Sequence, residues 1–116
     1  GKAKREFMFA DDVAKISLKI LMKSKKEYNQ MLKQNNIEFL NIGSSQELSI
    51  NALSKTIKKI VGFNGDIKLQ KNMKEGTPRK LLDITITKKF LKNNYYITDF
   101  EKGLKIAYND FLKSHG

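Results

Sequence analysis

The sequence contains no cysteine and no tryptophan, and it has a single proline and a single histidine, His115, one residue from its end. Without cysteine there can be no disulfides, no thiolate catalysis and no zinc site built on sulfur. A lone terminal histidine removes most imidazole chemistry. No window reaches the roughly 18 apolar residues of a membrane span, and Gly1-Lys2-Ala3-Lys4-Arg5 leads into no signal-like stretch, so a cytoplasmic protein away from membranes is expected. Arginine is scarce as well. Of 23 basic residues only Arg5 and Arg79 carry the guanidinium that base-edge readers and bidentate phosphate clamps favour.

What is present points to a folded α/β unit. A length of 116 residues fits one domain, and an apolar fraction of 40% with seven Phe and four Tyr can fill an interior. The formal charge of +11 suggests a polyanionic or phosphorylated partner. Lys15, Lys19, Lys23 and Lys26, however, recur at helical spacing opposite Val13, Ile16, Ile20 and Leu21, the pattern of a solvated helix face. No interleaving of aromatic and basic residues of the RNA-binding kind accompanies them, which argues against nucleic acid.

Along the chain, Arg5–Phe9 reads as a short strand or extended arm, and Asp11-Asp12 place acids at the start of a helix expected from about Val13 to Leu32. The run Ile37–Ile42 reads as β. Ser49 can cap a second helix whose buried stripe would be Ile50, Leu53, Ile57, Ile60 and Val61, with Gly62 as the left-handed terminator. Asp66–Gln70 alternates like a half-buried strand. Lys71–Lys80, which holds the single proline, should be an exposed loop. Asp83–Thr87 fits either a strand or a short helix capped by Asp83 and reaching Phe90 and Leu91. Thr98-Asp99-Phe100-Glu101 resembles a capping box before a last helix lined by Phe100, Leu104, Ala107, Tyr108 and Phe111.

Several familiar chemistries are missing. Gly62 and Gly65 are the nearest glycine pair, but they follow a helix and precede a strand, the wrong order for a dinucleotide-binding turn. No tyrosine is followed four residues later by the lysine of short-chain reductases: Tyr28, Tyr95, Tyr96 and Tyr108 meet Leu32, Asp99, Phe100 and Leu112. Adjacent Asp11 and Asp12 suit helix stabilisation better than paired acid–base work. Gly76-Thr77-Pro78-Arg79-Lys80 combines a flexible residue, a hydroxyl, a rigid turn and two cations, which suits phosphate or sugar hydroxyls and equally suits a basic surface turn.

Taken in order, Arg5-Glu6-Phe7 with Asp11-Asp12, then Asn41-Ile42-Gly43, then Glu75-Gly76-Thr77-Pro78-Arg79-Lys80-Leu81-Leu82-Asp83 resemble the C-terminal part of GDP-L-fucose synthases, within the extended short-chain dehydrogenases. The last run is the most particular to that family. The resemblance implies an NADPH-dependent enzyme, commonly a homodimer, that epimerises GDP-4-keto-6-deoxy-mannose at C3 and C5 and reduces C4. Residues 1–116 would then be its small substrate-binding lobe, inactive alone, with the Rossmann domain, cofactor site and catalytic groups on upstream sequence. Arg5 matches the family arginine on the nucleotide diphosphate. Glu75, Thr77, Arg79 and Lys80 fall in the substrate-binding run, Glu75 standing where the family has Asp. Phe9-Ala10 replace a usual His-Val, and Ser45 replaces a glycine, so a related GDP-sugar enzyme such as a GDP-heptose epimerase/reductase is an alternative. A small basic nucleic-acid-binding module is the alternative from another class, and pairing of the last helix with a second copy is a third.

Overall fold

In a computed structural model that describes residues 1–70 and 76–115, the chain is mixed α/β, with a three-stranded sheet and five helices. The strands are very short: β1 is Lys4–Glu6, β2 Glu47–Ser49 and β3 Arg79–Lys80, in the order β2-β1-β3. β1 runs antiparallel to β2 (Lys4 opposite Ser49, Arg5 opposite Leu48, Glu6 opposite Glu47). It runs parallel to β3 (Lys4 beside Arg79, Arg5 beside Lys80). The extended arm at the N-terminus is therefore the central strand.

The long helix expected over residues 13–32 is two helices, α1 at Ala10–Leu21 and α2 at Lys25–Asn35. Ser24 makes the break. Its hydroxyl accepts from the Glu27 amide at 3.2 Å while its own amide donates to the Glu27 carboxylate at 2.9 Å, a closed capping box that starts a new helix wherever the apolar spacing would continue the old one. The turn brings Tyr28 edge-on to Phe90, with ring centroids 6.2 Å apart. α2 ends at Asn36 in the left-handed conformation, φ 51°.

No strand forms at Ile37–Ile42, nor at Asp66–Gln70. In the first case the Asn41 carbonyl accepts from the distant Thr87 hydroxyl. α3, Ile50–Val61, matches its sequence signals: the Ser49 hydroxyl accepts from the Ala52 amide at 3.0 Å, and Gly62 closes the helix at φ 69°. Its apolar stripe is not buried as expected. Ile50, Ile57 and Val61 are each 38% exposed and no α3 residue is buried; among the described elements the helix packs mainly on β2 and the last helix.

The ambiguous Asp83–Thr87 segment leads into a helix, α4 at Thr85–Phe90, whose N-cap position is Ile84 and not the expected Asp83, although the Asp83 carboxylate accepts from the Thr85 amide. α5 spans Phe100–His115. Asp99, rather than Thr98, caps it by accepting from the Lys102 amide at 3.0 Å, while Thr98 turns inward to Asp12. Ala107 and Phe111, expected on its packed side, are exposed. The core lies between α1 and α4: Ile16, Ile84, Leu91 and Tyr95 are buried, with Met8, Ile20, Ile42, Phe90 and Ile97 packed around them. The lysines of α1 and of the turn after it are only partly solvated. Lys19 donates to the Asn94 carbonyl and side chain at 3.1 and 2.8 Å, and Lys23 lies over the Phe90 ring. The whole is a slab of 54 × 37 × 21 Å. No helix among the described residues is long and apolar enough to cross a membrane.

Candidate functional site

Residues paired directly across strands share a sheet face, and successive residues alternate. This rule divides the expected site in two. Arg5, Leu48 and Lys80 are register partners and project from one face. Lys4, Ser49 and Arg79 project from the other. There the Glu47 carboxylate accepts from Arg79 Nε at 2.6 Å and from Lys4 Nζ at 3.1 Å. The Arg79 hydrogen bond, followed by that of Lys4, holds the Glu47 carboxyl below the usual carboxylate value. Arg79 is thus committed to an ion pair.

Arg5 and Lys80 are differently placed. Arg5 is half-buried, its guanidinium donates to the Lys4 carbonyl at 2.6 Å, and Gly76 lies close to it, a Cβ there falling 3.7 Å from Nη2. The glycine of the Gly-Thr-Pro-Arg-Lys run therefore sits beside the arginine 71 positions earlier in sequence. Among the described residues no carboxylate forms an ion pair with Arg5 or Lys80. Like charges held directly opposite on neighbouring strands repel, and an anion lying across both would relieve that repulsion. Thr77 is exposed just before β3, and the Pro78 carbonyl accepts from the Lys4 amide at 2.8 Å, which fixes the approach of the run to β1. Glu75 lies outside the described residues.

Five side chains that the sequence pattern does not mark as site-forming build the frame around this face. The Glu6 carboxylate accepts from the Ser45 amide at 2.7 Å through Oε1 and from the Leu82 amide at 3.0 Å through Oε2. Gly43 permits its approach, since a Cβ there would stand 2.7 Å from Glu6 Oε1. The buried Tyr95 hydroxyl donates to the Gly43 carbonyl at 2.7 Å and accepts from the Gly43 amide at 2.9 Å. Thr87 donates to the Asn41 carbonyl at 2.6 Å, while Asn41 donates to the Asp83 carbonyl at 3.1 Å. Asp12, 5% exposed, accepts from the Thr98 amide and hydroxyl at 2.7 and 2.9 Å. Its work is therefore a cross-link between α1 and the start of α5, more than the helix-dipole role its position suggests. Segment 41–45 is irregular in backbone yet pinned from several sides, which is how its polar groups are satisfied without a strand.

Burial raises the Tyr95 pKa above its ordinary 10.0; the Gly43 hydrogen bond lowers it and the Glu6 charge raises it further. The stability contributed by the neutral phenol is therefore fully present below pH 10.0 and is lost as pH climbs through the raised value. Tyr95→Phe should cost about 1–3 kcal/mol by stranding two buried backbone groups. Urea denaturation at about pH 8 and about pH 10.5 checks both points: the difference between wild type and variant should narrow at the higher pH.

The described residues build no dinucleotide cradle. Gly62 terminates α3, and Gly65 lies under the Phe63 ring with its carbonyl held by Lys58. Likewise no group of three or more His, Cys, Asp or Glu among them could hold a metal. Among the described residues, the arrangement places two unpaired cations side by side on one face of a small sheet.

No protein-family profile matches the chain. It is 31% identical over 114 residues to GDP-L-fucose synthase of Escherichia coli K12, covering 98% of this chain and 35% of that protein. It is 32% identical over 112 residues to GDP-L-colitose synthase of Yersinia pseudotuberculosis, covering 97% and 33%. A UDP-glucose 4-epimerase from Thermotoga maritima, solved with UDP-glucose, superposes over the whole chain and 34% of its own with a TM-score of 0.78 at 24% identity, a likeness of fold. The chain spans about a third of the length of the proteins it matches. It is a relative of the GDP-L-fucose synthases, matched along almost all of its own length to their C-terminal part.

Proposed function

We propose that the chain supplies the GDP-sugar-binding surface of an NADPH-dependent epimerase/reductase like GDP-L-fucose synthase, acting with a cofactor-binding part outside these residues. The carrying observation is the register of β1 and β3, which sets Arg5 beside Lys80 on one face with Gly76 at the guanidinium. Arg5 offers a planar fork of donors to the diphosphate, and Lys80 a second cation across it. Thr77 and Glu75 are the side chains of the same run suited to sugar hydroxyls. Arg79, tied to Glu47, acts on the geometry of β3 and not on the ligand. This surface would orient the keto-sugar against acid, base and hydride supplied elsewhere, so its contribution to rate is positional.

A diphosphate site serves several sugars equally. The similarity to a GDP-L-colitose synthase keeps a related GDP-sugar enzyme as the second reading. Titration followed by NMR separates the binding classes. With GDP, the resonances of Arg5, Gly76 and Lys80 should shift in a saturable way that persists in physiological salt. A single-stranded oligonucleotide should give diffuse shifts over the lysine faces that fade steeply with salt. Tighter binding to the oligonucleotide than to GDP would reverse the proposal in favour of a nucleic-acid module.

A further inference from the structure

We propose that Glu6 is a positioning residue that holds Lys80 in register with Arg5; its consequence for ligand binding rests on the diphosphate reading above. β3 has only two residues, and its parallel ladder with β1 has only two register pairs. So short a ladder is not self-sustaining, and parallel pairing is the weaker kind per residue. Glu6 extends the attachment. Its Oε2 accepts from the Leu82 amide, two residues beyond Lys80, at 3.0 Å, while Oε1 accepts from the Ser45 amide at 2.7 Å and from the Ser44 hydroxyl at 3.4 Å.

One carboxylate on the central strand thus ties together the segments leading out of β3 and into β2. Carboxylate chemistry is essential to this arrangement, because both oxygens face N–H donors. Glutamine would keep one acceptor and turn an NH2 group against the other donor. Gly43 completes the device by leaving room for the carboxylate, and Tyr95 pins Gly43 from behind. The alternation that carries Arg5 to the ligand face places Glu6 on the opposite one, so adjacent residues bind and brace.

The test compares wild type with Glu6→Gln in the 116-residue chain. Without ligand, the Leu82 or Ser45 amide should exchange on the order of tenfold faster in Glu6→Gln, and the Arg5–Lys80 cross-strand contacts should weaken, while the Asp12–Thr98 signature stays unchanged. With GDP, Lys80→Ala should lower affinity about tenfold in wild type but less than about twofold in the Glu6→Gln background, since the lysine is then already displaced. Gly43→Ala, which crowds the carboxylate from the other side, should reproduce the exchange signature with Glu6 intact. Additive losses, unchanged Leu82 and Ser45 exchange, uniform acceleration throughout the chain, or failure of both variants to fold would each overturn the assignment. If wild type binds no GDP, the diphosphate reading falls, and the exchange and contact measurements still decide the role of Glu6.

Discussion

Replacing Ile16 by alanine is expected to destabilise the chain by about 2–5 kcal/mol and to lower its melting temperature by on the order of 10 °C. Ile16 is 1% exposed and, with Ile84, Leu91 and Tyr95, joins α1 to α4 and to the segment that follows it. The loss combines the transfer free energy of the removed methyl groups with the cavity left where a fully buried branched side chain stood. A domain of this size has a total stability of only about 5–15 kcal/mol, so one such change is a large share of it. Ile50→Ala on half-exposed α3 should cost under about 1 kcal/mol. Parallel urea denaturation of the two variants checks the contrast. Equal losses would relocate the main core to the face of α3.

Arg5→Ala is expected to weaken GDP binding by about 30- to 100-fold, corresponding to the roughly 2–3 kcal/mol typical when one partner of a hydrogen-bonded charge pair is removed. Arg5→Lys should recover only part of it, because an ammonium cannot reproduce the bidentate geometry. Arg79→Ala should weaken binding far less, since that guanidinium is engaged with Glu47 on the other face. In an enzyme that also carries the cofactor-binding part, NADPH affinity should barely move. Calorimetric titration of the three variants against GDP is the measurement. Equal losses for Arg5→Ala and Arg79→Ala would mean that the ligand senses overall charge and no defined pair.

How far the sequence predicted these features depends on the range of the interactions involved. α3 was readable because both of its ends are set by local chemistry, the Ser49 hydroxyl and the left-handed Gly62. The Ser24 box was equally local, but a continuous apolar period across it favoured one long helix. The sequence pattern favours Thr98 for the cap, yet Asp99 makes it, because Thr98 is claimed by Asp12, 86 residues away in sequence. Ile37–Ile42 has strand composition, yet Asn41 and Gly43 bond to Asp83, Thr87 and Tyr95, partners that periodicity does not reveal. The site follows the same division. Arg5 and Lys80 were both singled out, but only the parallel register shows that they share a face and that Arg79 does not. Glu6 lay unread inside the Arg-Glu-Phe run because its partners are backbone amides, which leave no mark in composition.

The slab shape has a thermodynamic consequence. The radius of gyration is 17.7 Å, against about 13 Å for a compact domain of this length. With a thickness of 21 Å there is space for little more than two layers, and large apolar side chains such as Leu21, Met22 and Phe39 stay 78%, 85% and 68% exposed. Unfolding therefore uncovers less new apolar surface than usual. Its heat-capacity increment should fall below the roughly 1.4–1.7 kcal/mol/K that average per-residue values give for 116 residues. A small increment flattens the stability curve, so the chain should resist cold better than heat and melt over a broad range of temperature.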